Sequence, residues 1–332
     1  MTRFASVLLA FCFATCAIAK ASEPQSGQTA DQSLLAMRAL DQRVANVAYR
    51  LAVAGRELCA AHQNLPGFAV HDLSQYGAAF RPAAIRVFGL DSGPAILALV
   101  PGGPADRAGL RLDDVLLSLD GRSLPHGDPG RDRTFNRMAQ ILDALELAFS
   151  NGAAEIEVLR AGARLRLHIS SDVGCATRFQ LIPSSRLNAE ADGRYVQITT
   201  AIAAYVADDA ELAVVMAHEF AHNILGHRTR LDQAHVSRGF FGNFGRNARN
   251  IRDTEVEADR FSIYLLDRAG FDPETAVRFW TRFGRHGLNF LGDPTHPNWR
   301  ARIALLETEI ARVREARAAG RIAPPPSDLA GR

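Results

Sequence analysis

Between Asp208 and His227 the chain reads DDAELAVVMAHEFAHNILGH, which sets His218, Glu219 and His222 in the spacing His-Glu-x-x-His. At about 100° per residue on an α-helix, His218 and His222 lie about 40° apart and present both imidazoles from one face to a single metal ion. Glu219, about 60° from His222, can reach a water at that metal without ligating it. The spacing is a zinc hydrolase signature. The surroundings predict a helix: Asp208 as N-cap with Glu211 three residues on, then Leu212, Val215, Met216 and Phe220 on apolar positions.

Two histidines do not complete such a site, because three protein ligands plus water is the usual count. His227 lies about 180° from His218 round a continued helix and should point away, serving packing or capping. Leu225 and Arg228 stand where the longer pattern HExxHxxGxxH needs Gly and a third His. A better source is DTEVEADRFSIYLLDRAG, residues 253–270, where Glu255 and Asp259 are four apart and share a helix face. Glu255 can ligate zinc, and Asp259 can accept a hydrogen bond from the far nitrogen of a ligand histidine.

The rest of the composition narrows the function class. A formal net charge of +2 over 332 residues implies neither nucleic acid nor an acidic substrate as partner. Residues 1–21 read as a secretory signal, Arg3 preceding an apolar run from Phe4 to Ala19, and export to the periplasm or beyond is expected. The alternatives are an uncleaved anchor and, more weakly, a lipobox at Cys16. Cys12 and Cys16 leave with the signal, so Cys59 and Cys175 are a disulfide candidate, two buried thiols being the alternative.

Residues 22–30 are small and polar and suit a linker; from Asp31 to about Ala61 apolar residues recur at threes and fours, predicting one long helix. From Gly67 to His168 short apolar runs are separated by Gly and Pro: strands at 95–100 and 113–121, a helix over Phe135–Phe149, and a hairpin about Ala161-Gly162. VPGGPADRAGLRLDDVLLSLDGRSL, residues 100–124, resembles a PDZ domain of the bacterial HtrA type. The resemblance implies capture of peptide C-termini as an added strand, with Tyr76, Gly77, Ala78 and Ala79 as the carboxylate loop and Phe80 opening the pairing strand. A spacer or lid is the alternative role.

Two further strands, 178–183 and 194–202, lead into the metal helix, and helices are expected over 272–285 and 299–318. SRGFFGNFGRNARN, 237–250, reads as a flap or an ordinary loop. With Asn188-Ala189, 210–227, TEVEADR (254–260) and DPTHPNWRARI (293–303), this half resembles the HtpX-like and CAAX prenyl protease family of zinc metallopeptidases, in particular its soluble, periplasmic BepA-like branch. The resemblance implies an α+β chain: a mainly helical gluzincin metalloprotease domain with a small antiparallel sheet, beside a β-rich PDZ domain. It implies one zinc held by His218, His222 and Glu255, Glu219 as base, Asp259 supporting His218, and His296 near the metal as oxyanion stabiliser or resting cap.

The expected organisation is signal 1–21, linker and helix 22–66, PDZ 67–171, peptidase 172–320 and an unordered tail 321–332. No segment after residue 21 is apolar enough to span a bilayer, so prenylated membrane substrates are not expected. The expected activity is zinc-dependent endoproteolysis of exported, misfolded or unassembled envelope proteins. The alternatives are a latent protease acting as peptide-binding chaperone, and a zinc hydrolase of non-peptide bonds, which the PDZ companion disfavours.

Overall fold

The computed structural model describes residues 26–91, 93–126, 130, 133–236, 245–285 and 299–329. The expected signal, residues 237–244 of the expected flap, and His296 lie outside them; residues 245–250 open a helix.

Helix α1 (Ser26–Ala54) takes in most of the expected linker and touches both halves of the molecule. Near its start Leu34 joins a cluster with Phe88, Leu90 and Val115. Further on, Val44, Val47, Ala48, Leu51 and Ala52 enter the main core with the metal helix. Between these, Gln42 bonds both the N–H and the carbonyl of Leu99, acting on that strand as a neighbouring backbone would.

Strands β1 (His62–Leu65) and β2 (Phe68–His71), helix α2 (Arg81–Phe88), strand β3 (Ala95–Leu99), helix α3 (Pro104–Arg107), strands β4 (Val115–Leu119) and β5 (Arg122–Ser123), helix α4 (Asn136–Ala148), and strands β6 (Ala153–Arg160), β7 (Ala163–Ser170) and β8 (Asp172–Cys175) follow. The PDZ sheet runs β2-β3-β4-β6-β7, with β5 on β4. Its core joins Ile96, Leu116, Ile156 and Val158 to Met138, Ile141 and Leu145 of α4. The hairpin turns at Ala161 (φ 48°) and Gly162 (φ 81°), with Arg160 opposite Ala163, the two-residue turn whose twist suits paired strands.

The PDZ sheet hangs on a neck. Strand β1 before it and β8 after it pair antiparallel, His62 opposite Cys175, and Cys59 is disulfide-bonded to Cys175. The neck lies against α1 so closely that a Cβ on Gly174 would stand 2.4 Å from Leu65 Cδ1 and 3.0 Å from the Ala52 backbone.

Strands β9 (Arg178–Ile182), β10 (Ala189–Ala191) and β11 (Tyr195–Thr199) form the second sheet, ordered β10-β11-β9. It is mixed rather than purely antiparallel: β10 makes the hairpin with β11, which leaves β11 parallel to β9. Helices α5 (Thr200–Tyr205), α6 (Asp209–Ile224), α7 (His227–Gln233), α8 (Gly245–Arg268), α9 (Glu274–Arg285) and α10 (Trp299–Ala318) complete the fold.

Residues 211–221 of α6 are all buried, so this helix is enclosed on every side. Asp208 caps it by accepting from Glu211 N–H at 2.9 Å, while Glu211 accepts from Ala207 N–H rather than from Asp208. The tail expected to be unordered packs instead: Ala323 and Leu329 are buried in the main core, and Arg260 bonds Asp328 at 2.7 Å. These apolar side chains, hidden beside prolines in the sequence, join the same core as α8 and α10. Among the described residues no helix is long and apolar enough to cross a membrane.

Candidate metal centre

Helices α6 and α8 pack side by side and bring His218, His222 and Glu255 together. His218 Nε2 is 3.3 Å from His222 Nε2 and 3.3 Å from Glu255 Oε2, and His222 Nε2 is 3.5 Å from Glu255 Oε1. Tetrahedral zinc with bonds of about 2.0–2.1 Å requires donors about 3.3–3.4 Å apart; the two imidazole nitrogens stand at that spacing, and with one Glu255 oxygen the three ligand atoms lie within 4.8 Å of one another, a donor set whose chemistry suits the ion. Glu219, 3% exposed, follows His218 on the same helix. Trp280 of α9 stands against His218, its ring centroid 6.2 Å away.

Asp259 is one turn beyond Glu255 and wholly buried, its Oδ1 2.9 Å from His218 Nδ1. Its other oxygen accepts from Arg302 Nε at 2.7 Å. Sequence reasoning assigned no role to Arg302, although a charged residue on the apolar face of α10, between Trp299 and Leu306, is the signal that was there to read. Its guanidinium lies 3.9 Å over the Trp280 ring, and Nη2 is 4.0 Å from Glu255 Oε2. Burial pushes the Asp259 carboxyl up, but Arg302 and His218 outweigh it and hold it below the usual carboxylate range. Burial likewise lowers His218, yet Asp259 and Glu255 prevail and lift it to about 10 in the metal-free site.

His227 does not point away. Helix α6 stops at Ile224, Gly226 takes φ 63°, and His227 begins a new helix, so the angle counted along a continuous helix does not apply. The reversal returns the imidazole to the site: Nδ1 is 2.9 Å from His222 Nδ1 and Nε2 is 3.1 Å from Glu257 Oε2. Arg230 grips Glu257 through Nη1 at 2.6 Å and Nη2 at 3.2 Å. Burial raises the Glu257 carboxyl, but hydrogen bonds from His227 and Arg230 outweigh it and bring it down to about 2.

With this geometry in place, residues 165–241 and 241–310 match the family model described as Peptidase family M48, and residues 96–144 match that of the PDZ domain. The half of the chain that carries α6 and α8 is a family M48 peptidase. Over 118 residues the chain is 30% identical to the mitochondrial metalloendopeptidase OMA1 of Schizosaccharomyces pombe, covering 29% of this chain and 35% of that protein. Over 142 residues it is 28% identical to a putative beta-barrel assembly-enhancing protease of Vibrio cholerae, covering 34% of this chain and 29% of that protein. The matches span about a third of the length of these curated relatives. A crystal structure of the HtrA3 PDZ domain bound to a phage-derived ligand matches at 17% identity and TM-score 0.25, over 34% of this chain and 88% of that one.

The M48 domain meets the PDZ domain at α4. Buried Arg178 of β9 bonds Asp143 at 2.6 Å, Glu146 at 2.5 Å and the Tyr195 hydroxyl at 2.8 Å, and Arg194 adds a 2.8 Å bond to Asp143.

The strand expected to open at Phe80 requires correction. Phe80 opens no strand: it is the N-cap of α2, and Pro82 at the start of that helix together with buried Ala83 and Ala84 favours a helix over a strand. Gly77 accepts from the Phe80 and Arg81 N–H groups within the turn, so those two donors are spent. Tyr76 is buried, its hydroxyl 2.8 Å from His71 Nδ1, and Ala78 and Ala79 complete the exposed turn before α2. The edge strand next to this loop is β2, which pairs with β3 alone among the described strands. Phe68 and Val70, alternating just after Gly67, were its sequence signal.

Proposed function

We propose that the chain is a zinc-dependent metalloendopeptidase that hydrolyses peptide bonds of exported, misfolded or unassembled envelope proteins, with its PDZ domain recognising or gating the polypeptide. The observation that carries this reading is the convergence of His218, His222 and Glu255 donor atoms within 4.8 Å of one another, with Glu219 next to His218 on the same helix. Bound there, zinc would supply Lewis acidity toward the scissile carbonyl and toward water. Glu219 takes a proton from the attacking water and returns it to the leaving amine. Asp259, steadied by Arg302, keeps the proton of His218 on Nδ1 and so leaves Nε2 free to ligate. On the sequence resemblance alone, His296 steadies the oxyanion or caps the resting metal.

Three features support an envelope setting: the signal-like first 21 residues, the Cys59–Cys175 bridge, and the Vibrio cholerae relative named for beta-barrel assembly. The position of β2 at the edge of the PDZ sheet suits an added peptide strand.

Unfolded casein offered to the zinc-loaded protein tests the reading. Wild type should cleave it and Glu219→Gln should be slower by at least about a hundredfold at equal zinc content. Equal rates would remove Glu219 from the chemistry. Full zinc with no cleavage by wild type would favour the chaperone-like alternative.

A further inference from the structure

We infer that His227 is a positioning residue for the metal centre: it fixes the tautomer and ring plane of His222 through a hydrogen-bond chain anchored by Glu257 and Arg230. The inference rests on His222 being a metal ligand.

The chain has one self-consistent proton arrangement. His222 turns Nε2 toward His218 and Glu255, and a ligating nitrogen carries no proton, so the proton of neutral His222 sits on Nδ1 and must be donated. The atom it meets, 2.9 Å away, is Nδ1 of His227, which therefore accepts. The His227 proton then sits on Nε2, and Nε2 faces Glu257 Oε2 at 3.1 Å, an acceptor only. Glu257 in turn takes two bonds from Arg230. Every donor meets an acceptor. With His227 neutral and its proton on Nε2 toward Glu257, shifting the His222 proton to Nε2 would leave two bare Nδ1 atoms facing each other across 2.9 Å, so the chain selects the ligating tautomer.

The other histidine ligand is held in the same way. His218 Nδ1 faces Asp259, and Asp259 is held by Arg302. Each ligand thus leans on a carboxylate clamped by an arginine, directly for His218 and with an imidazole interposed for His222. His227 is 1% exposed, and Gly226 in the left-handed conformation is what turns it inward. Groups of this kind typically carry about 10- to 100-fold in metal affinity.

A space-filling role for His227 makes a different prediction, which a pair of equal-shaped substitutions can read. His227→Leu fills the site without hydrogen bonding, whereas the amide oxygen of His227→Asn stands where Nδ1 does and can still accept from His222. Zinc dissociation constants would be measured by chelator competition, beside the thermal midpoint of each metal-free protein. His227→Leu should bind zinc about 10- to 100-fold more weakly than wild type, and His227→Asn should recover most of that loss. Equal affinity of His227→Leu and wild type, or of His227→Leu and His227→Asn, would overturn the assignment. Should the Leu and Asn forms fail to fold, Glu257→Ala leaves His227 in place but unanchored and should weaken zinc several-fold; no change would overturn the assignment as well. Wild type that takes up no zinc would instead overturn the metal centre itself.

Discussion

His218 carries opposing demands in one side chain. In the metal-free site its pKa is lifted to about 10, above the unfolded value near 6.5, because Asp259 and Glu255 outweigh the cost of burial. The sign follows: the imidazolium stabilises the metal-free fold fully below about pH 6, and that contribution fades as pH climbs toward 10. Zinc needs the lone pair on Nε2, so binding must expel the proton held there. Calorimetric titration with zinc at pH 8 in two buffers of different ionisation heat should show about one proton released per ion. Zero net release would mean that His218 is already neutral in the metal-free protein. Arg302 also acts at this scale, since it lets Asp259 stay ionised in the interior beside Glu255.

At the scale of elements, α6 was legible because its capping residue, its apolar rows and its two histidines all follow helix periodicity, and α8 because Glu255 and Asp259 share a face. His227 was not legible, because periodicity carries no mark of where a helix stops; the left-handed turn at Gly226 does. Phe80 was assigned to a strand by its position after a supposed loop, whereas Pro82 and two buried alanines make that segment a helix. Arg302 stood out only as a charge on the apolar face of α10; its meaning comes from Asp259, Glu255 and Trp280, tertiary neighbours that sequence does not supply. The contact between α4 and β9 is of the same kind, since Asp143, Glu146, Arg178 and Arg194 read individually as surface charges. Arg178→Ala should destabilise the protein by about 1–3 kcal/mol in denaturant unfolding and speed hydrogen exchange in α4 and β9. Unchanged exchange there would show that the ion cluster does not hold the two domains together.

As a whole molecule, the PDZ sheet is carried between β1 and β8 on a short neck that α1 backs from the peptidase side. The Cys59–Cys175 bridge closes that neck across a separation of 116 residues. In the chain-entropy account a loop of this length contributes about 4–5 kcal/mol. Reduction, or replacement of both cysteines by serine, should therefore lower the unfolding free energy by roughly that amount; a loss below about 1 kcal/mol would show that β1, β8 and α1 hold the neck unaided. The charge clamp at α4 thus ties the PDZ domain to the peptidase half, and the bridge closes the neck between them. The proposed activity depends on the α6–α8 pair holding one metal ion. The most direct measurement is zinc stoichiometry and affinity by equilibrium dialysis for wild type and Glu255→Ala. One zinc per wild-type chain, with affinity reduced at least about tenfold in the variant, is the expected result; equal tight binding by both proteins would contradict the ligand set.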